Sequence, residues 1–164
     1  MMNNIGIYPG TFDPITFGHI DIIKRALKIV NKLVVAVSAI NNKEYLFSHE
    51  ERVSIIKDSL FKDLDFKRKN VKIVYFDTLV TSLCKKYNAT TLFRGLRAVS
   101  DFEYEFQLAG MNRKLNKNIE TVFLMADAEK QVISSKLVKE ISRLNGKVDN
   151  FVTQSTFRAI KNKI

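Results

Sequence analysis

Apolar and polar positions fall in blocks that switch between two periods along the chain. Residues 5–8 form a short apolar run closed by Pro9-Gly10, which predicts a buried strand ending at that turn pair. From His19 onward, Ile20, Ile23, Leu27 and Val30 recur at the spacing of an amphipathic helix. Apolar runs at 33–37, 71–76, 91–93 and 121–125 predict four more strands. Between them, Ser48-His49-Glu50-Glu51 has the form of a capping box heading a helix to about residue 60, and a second helix is predicted over 79–86. Ser100-Asp101-Phe102-Glu103 offers another capping box, ahead of a helix that reaches residue 115. Ser134 or Ser135 caps the next helix, Gly146 ends it, and a last short helix is predicted over 155–161.

Alternation of this kind predicts an α/β fold: one doubly wound, Rossmann-like domain over residues 1–164, with a five-stranded parallel sheet and helices on both faces. Ligands in such sheets bind at the carboxyl ends of the strands, where the strand order reverses. The helix over 100–115 carries Phe102, Phe106 and Ala109 on one face and Tyr104, Leu108 and Met111 on another. That pattern predicts burial on two sides, either in the core or between subunits.

Composition narrows the class. Hydrophobic residues make up 46% of the 164, which excludes a mainly disordered chain. No stretch approaches the roughly 18 apolar residues that a membrane helix needs. The first residues also lack the pattern of a secretory signal. A lone cysteine, Cys84, predicts a reducing, cytoplasmic setting and reads as a buried, inert thiol. The net charge of +10 is mostly lysine spread along the chain and decides nothing about partners alone; neither a nucleic-acid nor a membrane partner is expected. The densest run, Lys67-Arg68-Lys69 with Lys72, reads as a solvated loop.

Candidate chemistry concentrates after the first strand, in Tyr8-Pro9-Gly10-Thr11-Phe12-Asp13-Pro14-Ile15-Thr16-Phe17-Gly18-His19. Gly10 and Gly18 let backbone approach a ligand closely, and a helix starting near His19 turns its positive end toward this loop. Thr11 and Thr16 add hydroxyls, and His19 adds a donor for a phosphate oxygen. Thr16-Phe17-Gly18-His19 resembles the T-x-G-H motif of the cytidylyl- and adenylyltransferase superfamily. The segment from Arg94-Gly95-Leu96-Arg97 through Glu103-Tyr104-Glu105, with Gln107-Leu108-Ala109 and Met111-Asn112, is similar to that of the phosphopantetheine adenylyltransferases. Ile133-Ser134-Ser135 with Leu137-Val138-Lys139-Glu140 is a third match, in the family's order and spacing.

The resemblance implies adenylyl transfer from ATP to 4′-phosphopantetheine, giving dephospho-coenzyme A and pyrophosphate. Carried over residue by residue, it implies that His19 stabilises the transition state, while Thr11 and Phe12 lie between the substrates. It implies that Thr11, Lys43, Val80 and Arg94 bind the acceptor. It implies ATP contacts at Thr11, Phe12, His19, Gly95, Leu96, Arg97 and Glu105, and along Lys130, Gln131, Val132, Ile133, Ser134, Ser135 and Lys136. Magnesium would arrive with ATP, with no dedicated metal site on the protein. A homohexamer and feedback binding of coenzyme A are also implied. The residues alone leave plainer readings open: Lys43 as a loop lysine, Glu105 as a helix-surface charge, and Ser134 and Ser135 as caps. The chain departs from the family's pattern where Lys130 replaces a tryptophan and Lys136 a third hydroxyl. Ala126 also stands where a proline is usual, and the prolines around Lys43 are missing. The competing readings are a sister transferase acting on nicotinate mononucleotide or glycerol 3-phosphate, and a basic binding module without turnover.

Overall fold

Five parallel strands lie in the order β3-β2-β1-β4-β5: β1 (Ile5–Gly10), β2 (Lys32–Ser38), β3 (Val71–Phe76), β4 (Thr91–Leu96) and β5 (Glu120–Met125). The computed structural model describes residues 4–39, 45–97 and 99–164. Helices α1 (Phe17–Ala26), α2 (His49–Asp58), α3 (Val80–Tyr87), α4 (Val99–Leu115), α5 (Ser135–Arg143) and α6 (Gln154–Lys163) complete the chain. The α/β architecture with a five-stranded parallel sheet is the one predicted.

Strand pleating divides the core. Leu33, Val35 and Val37 of β2 face one side, where Ile20 and Ile23 of α1 and Ile56 of α2 pack. Val34 and Ala36 face the other, against Leu83 and Cys84 of α3. A sheet covered on both faces needs strands that are apolar nearly throughout, which explains the Leu-Val-Val-Ala-Val run. Cys84 is fully buried, and burial pushes its thiol up to about 11, so the inert reading holds. A third cluster joins Phe47 to Val138 of α5 and Ile160 of α6.

Several boundaries differ from the sequence reading, each for a physical reason. β1 runs through Pro9-Gly10 instead of ending there. Its ladder to β2 spans residues 5–10, whereas its ladder to β4 joins only Gly6 to Thr91 and Ile7 to Leu92. Beyond Ile7 the two strands part, and the Pro9 carbonyl accepts the Arg94 Nη1–H at 3.0 Å where a strand neighbour would otherwise bond. The proline therefore interrupts no bond on that side. α1 starts at Phe17, with Thr16 as N-cap, so His19 lies inside the first turn. α4 starts at Val99, which places Ser100 inside the helix and not at its cap. α5 ends with Asn145 in the left-handed region at φ 59°, a conformation Asn tolerates, so Gly146 follows the stop instead of making it. The Ser48–Glu51 capping box is present in both directions, at 3.2 and 2.7 Å. α2 then continues as a π turn over Ser59–Asp63.

The two-sided burial expected of α4 does not occur among the described residues. Its buried described residues are the polar Glu105 and Asn112, while Phe102, Tyr104, Phe106 and Met111 are exposed.

Candidate active site

The parting of β1 and β4 opens a cleft of about 490 Å³ at the carboxyl ends of the strands. This is the point where strand order reverses, the expected place for a ligand. Its volume lies in the range of small-molecule sites.

The first wall is the loop after β1. Phe12 sits at φ 50°, a left-handed conformation that costs a non-glycine residue on the order of 1–3 kcal/mol. Packing holds it there: the ring is buried, edge-on to Tyr8 at 5.4 Å and tilted against His19 at 5.0 Å. A Cβ on Gly10 would lie 2.9 Å from the Phe12 ring, so this packing requires glycine. The loop is also tied from below. The Arg52 Nη1–H donates to the Thr11 carbonyl at 2.7 Å. The buried Asp13 carboxylate accepts the amides of Leu46 and Phe47 at 2.9 Å each and the Lys139 ammonium at 2.8 Å. The Asp13–Pro14 peptide is cis.

His19 is half-buried on α1 and lines the cleft. Its Nδ1 accepts the Thr16 amide at 3.1 Å and lies 2.9 Å from the Thr16 hydroxyl. An amide is always a donor, so Nδ1 is unprotonated and the ring proton resides on Nε2. Burial, then the nearby Arg97 charge, lowers the His19 pKa to about 4. The ring is therefore a neutral donor at physiological pH. Gly18 brings α1 close to the wall opposite, since a Cβ there would lie 3.2 Å from the Ile133 carbonyl.

The second wall comes from β4 and α4. The Arg94 Nε–H donates to Glu105 at 2.7 Å, and its Nη2–H donates to the other carboxylate oxygen. Burial works against the Arg94 charge, but the Glu105 carboxylate outweighs it and raises the pKa. Tyr8 is buried beside them, and that burial raises its phenol pKa. Arg97 is more open, with its amide and Nε–H both donating to Asp101 at 3.2 Å.

The third wall is the segment between β5 and α5. The Lys130 ammonium donates to Asp21 of α1 at 3.1 Å. Burial raises the Asp21 pKa, but the Lys130 bond outweighs it and holds the carboxyl below its usual range. Ser134 caps α5 by accepting the Leu137 amide at 3.1 Å, and the Ser135 hydroxyl donates to the Pro14 carbonyl at 2.7 Å. Lys136 lines the cleft at the start of the helix.

Most of the residues proposed from sequence thus meet at one cleft. Thr11, Phe12 and His19 lie on one wall, Arg94, Gly95, Arg97 and Glu105 on the second, and Lys130, Ile133, Ser134, Ser135 and Lys136 on the third. Leu96 is buried, Val132 is exposed, Gln131 donates to the Ala126 carbonyl at 3.2 Å, and none of the three lines the cleft. Val80 packs at the start of α3 against the core cluster around Ile7. Lys43 lies outside the described residues. The sequence reading did not single out Asp13, Lys139, Arg52, Asp21 or Asp101. Asp13 and Lys139 stand within the matched motifs, whereas Arg52 and Asp21 carry no local signal because their partners are distant in sequence.

The cleft offers cations, amides, hydroxyls and a neutral imidazole. Its described carboxylates already have cationic partners: Asp13 with Lys139, Glu105 with Arg94, and Asp101 with Arg97. Such a site suits the alignment of anions and the stabilisation of developing negative charge.

Comparison with known proteins agrees with this chemistry. The cytidylyltransferase-like family model matches residues 7–141. A phosphopantetheine adenylyltransferase of Pelagibacter ubique is 59% identical over 162 residues, covering 99% of both chains. One from Roseobacter denitrificans is 49% identical over 160 residues, covering 98% of this chain and 96% of the relative. Among solved structures, the nicotinic acid mononucleotide adenylyltransferase of Plasmodium falciparum superposes with a TM-score of 0.73 at 16% identity, covering 98% of this chain and 95% of that one. That likeness extends to the fold alone.

Proposed function

The chain belongs to the phosphopantetheine adenylyltransferase family, and from that premise we propose that it transfers the adenylyl group of ATP to 4′-phosphopantetheine, forming dephospho-coenzyme A and pyrophosphate in coenzyme A biosynthesis. A phosphate oxygen of the acceptor attacks the α-phosphorus of ATP. The bond from that phosphorus to the bridging oxygen breaks, and pyrophosphate leaves with the electron pair. The attacking group is already an anion, so no side chain need remove a proton.

The observation that carries this reading is the fork between β1 and β4, where the neutral His19 donor faces a wall bearing Arg94 and Arg97. In this reading His19 donates from Nε2 to an α-phosphate oxygen as charge develops there. Thr11 and the Phe12 amide sit between the substrates, on backbone that Arg52 and Asp13 hold still. Arg94 meets the acceptor phosphate with the N–H groups that Glu105 and Pro9 leave unused, and Lys43 and Val80 complete the acceptor's contacts. Gly95, Arg97 and Glu105 border the nucleotide, with Lys130, Ile133, Ser134, Ser135 and Lys136 opposite. Magnesium enters with ATP as part of the substrate, in keeping with cleft carboxylates that are already paired.

The test is pyrophosphate release with ATP, magnesium and 4′-phosphopantetheine, run beside nicotinate mononucleotide and glycerol 3-phosphate. Release that requires 4′-phosphopantetheine supports the reading, and release only with another acceptor overturns it. A homohexamer in the cytoplasm fits the same reading. The exposed aromatic face of α4 supports assembly, and no helix of the described residues is long and apolar enough to cross a membrane. Feedback by coenzyme A belongs to the proposal as well; titration of the assay with coenzyme A without inhibition removes that part.

A further inference from the structure

The 125–133 segment is fastened to α1 at several points. Asp21 is mostly buried, with a side chain 11% exposed, and its Oδ2 receives no hydrogen bond. The charge of Asp21 is supported by Lys130, at 3.1 Å from Oδ1, by the Asp127 backbone amide, and by Arg25, at 3.6 Å from Oδ2. Arg25 in turn donates to the Met125 carbonyl at the end of β5. Two turns of α1 thus grip both ends of the crossing segment, while Gly18 admits the Lys130 and Ile133 carbonyls at close range.

We propose that Asp21 and Lys130 form a positioning pair that sets the 126–134 wall of the nucleotide site, with the Lys130 ammonium committed to Asp21 and not to a phosphate of ATP. Turning Lys130 toward a phosphate would take the shortest ion pair from a mostly buried carboxylate and leave it Arg25 at 3.6 Å, which is costly. Asp21 is a positioning residue in this scheme, two residues along α1 from His19 and acting through the wall it holds. The identity of the ligand rests on the adenylyl-transfer reading; the pairing does not.

Four forms of the full chain decide it: native, Asp21→Asn, Lys130→Met and the double variant. Michaelis constants for each substrate are measured, together with amide hydrogen exchange of 126–134 without substrate. Either single change is expected to raise KM for ATP about fivefold, the double to do no worse, and exchange to quicken in all three. The charge-swapped chain, Asp21→Lys with Lys130→Asp, should recover part of the protection. The opposite signature is an Asp21→Asn chain that binds ATP more tightly while Lys130→Met binds it less tightly, with exchange unchanged. That result makes Lys130 a phosphate ligand and overturns the proposal, as does exchange and KM unmoved in every variant. A native chain inactive toward these substrates would fail the functional reading alone, and exchange would still judge the pair.

Discussion

Helices α1 and α4 border the same cleft and bury opposite kinds of side chain. α1 buries Ile20, Ile22, Ile23 and Ala26 and turns His19 to the cleft. α4 buries Glu105 and Asn112, and leaves Tyr104 and Phe106 open at 66% and 64% exposure. The position of His19 is therefore set by the chain's own core. α4 is held on its cleft side by the Arg94–Glu105 pair, and on its aromatic side Phe102 touches Phe106 and Phe123 while Tyr104 and Phe106 stay exposed among the described residues. In the proposed reading, catalytic geometry and assembly fall to different helices.

Substitutions on the two helices should separate these roles. The largest effect is expected from His19→Ala: a fall in kcat of about 10² to 10³, with the fold intact by circular dichroism, as for loss of one transition-state donor. Retained turnover would detach α1 from the chemistry. Ile23→Ala should lower chain stability by roughly 2–5 kcal/mol in a denaturant titration, because Ile23 is fully buried. A smaller effect follows from the His19 pKa near 4 in the folded chain. Between about pH 6.5 and pH 4 the unfolded chain binds a proton that the folded chain does not, so stability should fall with pH in that window. His19→Gln should flatten this slope, and the imidazole signal of the folded protein should titrate near 4. The smallest effect on the chain itself is expected from Tyr104→Ser with Phe106→Ser, under roughly 1 kcal/mol, while light scattering should show a smaller assembly. A loss of stability like that of Ile23→Ala would dissolve the contrast between the helices.

Local patterns made much of this legible. The strand–helix alternation, the Ser48 cap and the clustering of Thr11, His19, Arg94 and Arg97 all rest on short-range spacing or on a resemblance carried by contiguous motifs. What stayed hidden depends on the sheet and on distant partners. Pro9 and Gly10 read as a strand end, and only the shortened β1–β4 ladder lets the strand continue through them. The Asp13–Lys139 and Asp21–Lys130 pairs join residues more than a hundred positions apart, so no window along the chain contains them. Apolar residues on α4 were visible as a pattern, but the pattern does not say whose surface covers them.

The short ladder from residues 6–7 to 91–92 has a kinetic consequence. Neither wall of the cleft faces the other until β4 docks beside β1, and that contact closes a long loop of intervening chain. The cleft therefore takes shape only once that loop-closure cost has been met. In the proposed reading, a nucleotide needs these walls in place and would stabilise the finished fold by mass action.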